Sequence, residues 1–140
     1  MLEVVLDSDI LSEILKGINP TVEKRKDAYE AHFQQLTFTA ASVMEILTGY
    51  RKRGAPAQQQ RAATLFSLNN EIIPDAADYR LAAEINGDLL KDGKIIGMVD
   101  PLIAACAIRR GLGVATGNTA HFEFIRKLGY NFHLENWRDA

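Results

Sequence analysis

The chain has 140 residues, a formal net charge of −2 and one cysteine. This length and its 47% hydrophobic and 24% charged residues are ordinary for one globular domain, which we expect over residues 1–140. No stretch reaches the roughly 20 apolar residues of a membrane span, and no signal-like segment opens the chain. The lone Cys106 excludes an intramolecular disulfide and suits a reducing cytoplasm. The slightly acidic balance does not by itself favour nucleic-acid binding.

Short apolar runs alternate with longer segments of helical periodicity. Strands are predicted at residues 2–6, 36–40, 71–74, 112–116 and, as an edge strand, 131–134. Helices are predicted at residues 8–17, 20–35, 42–53, 56–68, 75–91, 100–110 and 119–127. Strands separated by helices predict an α/β domain with a mostly parallel central sheet flanked by helices.

Four polar side chains each come after an apolar run: Asp7, Glu45, Asp100 and Asn118. In such a sheet they would meet at the edge formed by the carboxyl ends of the strands. Two carboxylates about 5 Å apart repel by roughly 3 kcal/mol at an effective dielectric near 20, so a cluster must take up a proton or a cation. Oxygen-only donors favour Mg²⁺ or Mn²⁺. Such an ion can activate a water and bind a phosphate oxygen, as in metal-dependent nucleases.

Helix capping is an alternative explanation for most of these residues. Ser42 and Glu45 have the spacing of a capping box. Asp100 followed by proline fits an N-cap and N1 pair, and Asn118 could cap the helix after it. Asp7 comes directly after a buried strand and is harder to assign to capping alone. Capping and metal ligation are compatible for Glu45 and Asp100.

The order of these motifs resembles PIN domains of the VapC type, the toxin halves of bacterial toxin–antitoxin pairs. Each motif alone is weak, whereas several in register are specific, and the resemblance extends from Leu2 to Trp137. The matching segments are residues 5–13, 42–49, 96–105, 111–112, 115–119 with Phe122, and 135–137.

This resemblance implies a PIN-like fold and an endoribonuclease that hydrolyses RNA phosphodiester bonds with a water activated by Mg²⁺ or Mn²⁺. Asp7, Glu45 and Asp100 would be its principal ligands and catalytic residues. Asn118 would be a neutral fourth member, which predicts weaker metal binding than an all-acid site. An RNA substrate, a cognate antitoxin protein and a homodimer are implied by the family alone.

Further contacts to RNA or water are predicted around this set. Arg51 and Lys52 lie on the helix of Glu45, although basic residues before a glycine also typify helix ends. His121 lies where several relatives place an aspartate, and it could equally be a partly exposed helical histidine. The full set of predicted RNA or water contacts is Ser8, Asp9, Arg51, Lys52, Thr116 and His121.

Two other functions fit parts of the sequence. One is a non-catalytic PIN-like binding or regulatory domain, in which Asn118 has removed a competent metal site. The other is an aspartyl-phosphate phosphatase, with Asp7 as nucleophile and Asp9 as acid/base. The phosphatase requires a nearby lysine, for which Lys94 is the candidate.

Overall fold

The computed structural model describes residues 1–139. Its five strands are β1 (Val4–Leu6), β2 (Thr37–Thr39), β3 (Asn70–Ile72), β4 (Gly113–Ala115) and β5 (Leu134–Glu135). The helices are α1 (Ser8–Lys16), α2 (Pro20–Phe33), α3 (Ala40–Arg53), α4 (Pro56–Leu68), α5 (Ala76–Lys91), α6 (Val99–Arg110) and α7 (Thr119–Lys127). The strands form one sheet in the order β3-β2-β1-β4-β5, and every neighbouring pair is parallel. The predicted α/β architecture is confirmed.

Helices cover both faces of the sheet. Val4 and Leu6 of β1 pack into a core built mainly with α1, α2, α3 and α4. Val5 points to the other face and packs with Val114 in a core formed mainly with α5, α6 and α7. All three β1 residues are fully buried, which explains why parallel strands appear in the sequence as continuous apolar runs. Within residues 1–139, no helix combines the length and apolar composition needed to cross a bilayer.

The register of the central strands brings the segments after them to one edge of the sheet. Leu6 of β1 is aligned with Phe38 of β2 and with Ala115 of β4. The residues immediately after these positions therefore emerge at the same level. The Asp7 amide donates to the Ala115 carbonyl at 2.9 Å, which extends the β1–β4 ladder to the first acidic residue. Because β1 is central and the chain crosses to opposite sides of it, this edge is the usual ligand-binding position of an open α/β sheet.

Three capping predictions are wrong. Helix α3 begins at Ala40, where the Thr39 hydroxyl accepts from the Ser42 amide at 3.3 Å, so Glu45 lies in the second turn. Helix α6 is preceded by Met98, which places Asp100 inside its first turn. The Asn118 side chain makes no capping bond to α7. The three polar side chains are therefore not used as caps.

The segment before Asp100 is irregular, and the last strand begins later than predicted. The apolar run at residues 95–98 has no regular structure, and Ile95 and Met98 are 85% and 78% exposed. The edge strand predicted at residues 131–134 begins only at Leu134. The predicted domain ends at Ala140, which lies outside the described residues.

Candidate metal centre

The structure brings the four predicted principal residues into one cavity at the carboxyl edge of the sheet. This acidic cavity has a volume of about 370 Å³. Asp7 comes after β1, Glu45 lies on α3, Asp100 on α6 and Asn118 between β4 and α7. The acidic cavity is lined by Asp7, Ser8, Asp9, Glu45, Asp100, Asn118, His121 and residues 96–99.

Asp7 is the most buried of the acidic residues in this cavity, with 5% of its surface exposed. One carboxylate oxygen accepts from the Ser8 amide at 2.7 Å, and the other accepts from the Thr116 hydroxyl at 2.8 Å. Burial, together with the negative charges of Asp100 and Asp9, raises the pKa of Asp7 to about 7. The metal-free site therefore holds Asp7 partly protonated at neutral pH, and a cation would favour its ionised form.

Ser8 links two of the acids. Its hydroxyl lies 2.8 Å from Glu45 Oε1 and 3.3 Å from Asp7 Oδ1. A hydroxyl has one proton to donate, so the shorter bond to Glu45 takes precedence. Ser8 thus holds the Glu45 side chain toward the start of α1, at the wall of the acidic cavity.

His121 contacts a predicted metal ligand. Its Nδ1 lies 2.8 Å from Asp100 Oδ2 and also 2.8 Å from the Asn118 amide nitrogen. When the Nδ1–H group of His121 donates to ionised Asp100, the same nitrogen cannot accept a hydrogen bond from the Asn118 side chain. Asn118 must then turn its side-chain oxygen toward the ring, which exchanges the positions of its similar oxygen and nitrogen atoms. Burial raises the pKa of Asp100, while the His121 contact opposes that rise. His121 is therefore placed to orient Asp100 and to compensate its charge.

Asp9 lines the acidic cavity, but its carboxylate is already engaged. One oxygen accepts from the Gly117 amide at 2.8 Å, and Arg138 Nη1 lies 3.6 Å from the same oxygen. A side chain at Gly117 would collide with Arg138 and Asp9. Thr116 also holds this loop, because its hydroxyl accepts a hydrogen bond from the backbone amide of Asn118 at 2.9 Å. Asp9 and Thr116 thus position the loop that carries Asn118.

The sequence-based prediction missed two parts of this arrangement. Gly117 stands between Thr116 and Asn118 in a predicted motif. The sequence shows that this residue is small, but not that Asp9 and Arg138 leave no room for a side chain there. Arg138 gave no signal, because nothing in the sequence shows that the end of the chain returns to the start of α1.

The donor set suits a hard cation, although it is not preassembled. Across residues 1–139, no three His, Cys, Asp or Glu side chains stand in ready metal-binding geometry. The carboxylates instead bond to neighbours: Asp7 to Thr116, Glu45 to Ser8 and Asp100 to His121. Three carboxylates and an amide offer only oxygen to an ion, which fits Mg²⁺ or Mn²⁺.

The two predicted basic contacts lie away from the acidic cavity, and their contact with RNA stays a prediction. Arg51 and Lys52 are exposed near the end of α3, but they line neither the acidic cavity nor the larger groove beside it. Arg53 and Arg61 line that groove instead. The helical turn, rather than proximity along the chain to Glu45, decides which cations face the site.

Lys94 does not support the phosphatase alternative. Its ammonium lies 4.8 Å from the centre of the Phe124 ring, and the residue does not line the acidic cavity. Among residues 1–139, no lysine lines the acidic cavity beside Asp7, although an aspartyl-phosphate mechanism requires one there.

Comparison with known proteins identifies the family of this chain. The PIN domain family model matches residues 4–127. The tRNA(fMet)-specific endonuclease VapC of Shigella flexneri is 26% identical over 138 residues, covering 98% of this chain and 99% of that protein. The VapC ribonuclease Y4jK of Sinorhizobium fredii is 29% identical over 129 residues, covering 86% and 90%.

A solved structure gives the same answer for the fold. The DNA-bound VapBC of Salmonella typhimurium contains a chain that matches with a TM-score of 0.81 and 25% identity, covering 98% of this chain and 99% of that one. The predicted resemblance to VapC-type PIN domains is confirmed. The chain therefore belongs to the PIN domain family.

Proposed function

We propose that this chain is a single-domain, Mg²⁺- or Mn²⁺-dependent endoribonuclease and the toxin of a toxin–antitoxin pair. The observation that carries the proposal is the convergence of Asp7, Glu45, Asp100 and Asn118 from four segments into one acidic cavity. RNA as substrate is supported by the two relatives, which are named as an endonuclease specific for tRNA(fMet) and as a ribonuclease.

The residues of the acidic cavity would have different roles in catalysis. A bound Mg²⁺ or Mn²⁺ would lower the pKa of a water and stabilise negative charge on a phosphate oxygen. Asp7 and Asp100 would bind it directly, and Glu45 would bind it or orient a water. His121 Nδ1 lies 2.8 Å from Asp100 Oδ2 and would orient this carboxylate, because carboxylates that bind metals are themselves hydrogen-bonded to neighbouring groups. Asp7 must lose its proton to act as a ligand, which its raised pKa makes pH-dependent.

The decisive test compares wild type with Asp100→Asn. Purified, partner-free wild type should cleave RNA only with Mn²⁺ or Mg²⁺, and tRNA(fMet) is the first substrate to try. Asp100→Asn should lower the cleavage rate by at least about a hundredfold, because it removes a ligand charge from the site. The exposed carboxylate of Asp92 provides the control, since Asp92→Asn lies outside the acidic cavity. Absence of metal-dependent cleavage by wild type would favour the non-catalytic alternative.

Asn118→Asp is expected to tighten metal binding. The change adds a second oxygen and a negative charge to the donor set, and ligand charge is a main determinant of affinity for hard cations. We expect the Kd for Mn²⁺, measured by calorimetry, to fall by about tenfold. Asn131→Asp adds the same charge at an exposed position outside the acidic cavity and should leave the Kd unchanged. Unchanged binding in Asn118→Asp would place residue 118 outside the ligand shell.

The proposed role includes partners. The matching VapBC structure supports a cognate antitoxin for this chain, and the family resemblance supports a homodimer. The buried free thiol of Cys106 suits the cytoplasm, where thiols stay reduced. Burial raises the pKa of this thiol to about 11, so it is a packing residue rather than a nucleophile.

A further inference from the structure

A second, larger cavity opens from the acidic cavity. This groove has a volume of about 810 Å³ and lies between α1, α3 and α4. Ser8, Asp9 and Glu45 line both spaces, so the groove leads directly to the proposed metal site. Its far part is lined by Lys16, Arg53 and Arg61. The groove therefore changes from acidic to basic along its length.

The two arginines of the groove are available to a ligand. Arg53 and Arg61 are exposed, and within residues 1–139 no carboxylate lies within ion-pair distance of either. Arg109 and Arg110, by contrast, both pair with Asp78. An exposed guanidinium without a partner beside a nuclease site is a ready contact for a phosphate.

Helix α3 directs Arg53 along the groove. Glu45, Gly49 and Arg53 succeed each other at intervals of four residues, which places them on one stripe of the helix. Glu45 and Arg53 are therefore about 12 Å apart along the axis. The Arg53 guanidinium lies 5.1 Å from the centre of the Tyr50 ring, and a Cβ at Gly49 would approach its Nη1 to 3.3 Å. Gly49 thus leaves room for Arg53 to lie back toward Glu45.

The groove offers little apolar surface to a partner. Its apolar floor consists of Leu15, Ile46 and Tyr50, each less than one tenth exposed because they already pack in the core. Ile18, at 78% exposure, contributes an apolar group at the rim. An amphipathic helix needs a wide exposed apolar floor, whereas a polyanion needs cations and polar walls. The lining favours the polyanion.

We infer that this groove binds the single-stranded RNA next to the scissile bond, with backbone phosphates contacting Arg53 and Arg61. The inference rests on the proposed function and adds to it the path by which the substrate leaves the acidic cavity. Phosphate contacts of this kind supply affinity and position without reading the base sequence. The acidic cavity would then perform cleavage while the basic part of the groove holds the chain.

RNA binding without cleavage tests this path. A fluorescent single-stranded RNA is titrated in EDTA, where the metal-dependent reaction cannot proceed, and anisotropy gives the Kd at several salt concentrations. Arg53→Gln with Arg61→Gln should weaken binding by about tenfold and reduce the slope of log K against log salt by about 1.4, the value for two phosphate contacts on a single strand. Arg80→Gln with Lys91→Gln removes the same charge from two exposed positions on α5, outside the groove, and should leave both quantities unchanged.

Turnover in Mn²⁺ separates this inference from the proposed function. The Arg53/Arg61 variant should raise KM by about tenfold with kcat within twofold of wild type, because the removed contacts bind RNA before and during cleavage alike. If wild type cleaves RNA and this variant does so with unchanged KM and Kd, the groove assignment is overturned. If the variant keeps its RNA affinity but loses a co-expressed antitoxin, the groove binds protein and the inference is again overturned.

Failure of wild type to cleave any RNA overturns the proposed function itself. Thermal unfolding should show that both double variants remain folded, since all four positions are exposed.

Discussion

Asp7→Asn is expected to abolish RNA cleavage and, at the same time, to stabilise the metal-free protein. Loss of a direct metal ligand should reduce the cleavage rate by at least about a hundredfold. The stability gain comes from burial: only 5% of Asp7 is exposed, and its pKa is raised from 3.8 to about 7. Asparagine has the same shape without the charge. A residue kept at a cost in stability is typical of a functional site.

The pKa of Asp7 determines how the stability difference between Asp7→Asn and wild type changes with pH. Between pH 3.8 and about pH 7 the folded protein holds the Asp7 proton while the unfolded chain has released it. The free energy of unfolding of metal-free wild type therefore falls as pH rises through this window. Asp7→Asn lacks this titration, so its advantage should be near zero at pH 4 and about 4 kcal/mol at pH 8. Thr116 can accept from the new amide, because a hydroxyl both donates and accepts.

Urea unfolding in EDTA at pH 4, 6 and 8 measures this effect, and RNA cleavage in Mn²⁺ measures the loss of activity. Asp27→Asn is the matched control, since Asp27 is an exposed carboxylate on α2 outside the acidic cavity. Added Mn²⁺ should stabilise wild type and not Asp7→Asn. A variant that cleaves RNA normally would remove Asp7 from the mechanism, and one that is less stable at pH 8 would contradict the buried-charge argument.

The sequence was most informative where strands are buried on both faces. The apolar runs ending at Leu6 and Ala115 located β1 and β4, and parallel pairing then placed Asp7 and Asn118 at one edge. The run at residues 95–98 shows the limit of this reasoning. A short apolar run has no period that distinguishes a core strand from an exposed loop, and here Ile95 and Met98 face solvent.

Contacts between distant segments could not be predicted from local patterns. Glu45 was compatible with a capping box because spacing alone does not fix where a helix begins; Thr39 caps α3 instead. The contact of His121 with Asp100 depends on how α6 and α7 pack. The burial of Asp78 and its bonds to Arg110 depend in the same way on how α5 packs against α6. Each of these contacts depends on tertiary packing, which a single sequence does not display.

Asp78→Ala is expected to destabilise the protein more than the loss of any carboxylate in the acidic cavity. Asp78 is fully buried, and it accepts from Arg110 at 2.8 and 2.9 Å and from Arg109 at 2.9 Å. It also accepts from the Asp75 amide at 2.9 Å, which closes a capping box at the start of α5. These bonds join α5 to the end of α6, the helix whose first turn carries Asp100. Removing the carboxylate would leave the two guanidiniums with only the exposed carboxylate of Asp75, which contacts Arg109 alone.

We expect Asp78→Ala to lose about 3 kcal/mol, near the lower end for a broken buried pair because both arginines are about one-third exposed. Asp75→Ala is the matched control: Asp75 contacts the same Arg109 but is 60% exposed, so its loss should cost clearly less than the loss of Asp78, mostly as a lost cap. The arginines hold the pKa of Asp78 far below its usual range. Its contribution is therefore complete above pH 4 and is lost only as pH falls below that value, a direction opposite to that of Asp7. Urea unfolding at pH 3 and pH 7 measures both effects. Equal losses in the two variants at pH 7 would show that the buried position of Asp78 adds nothing to its ion pairs.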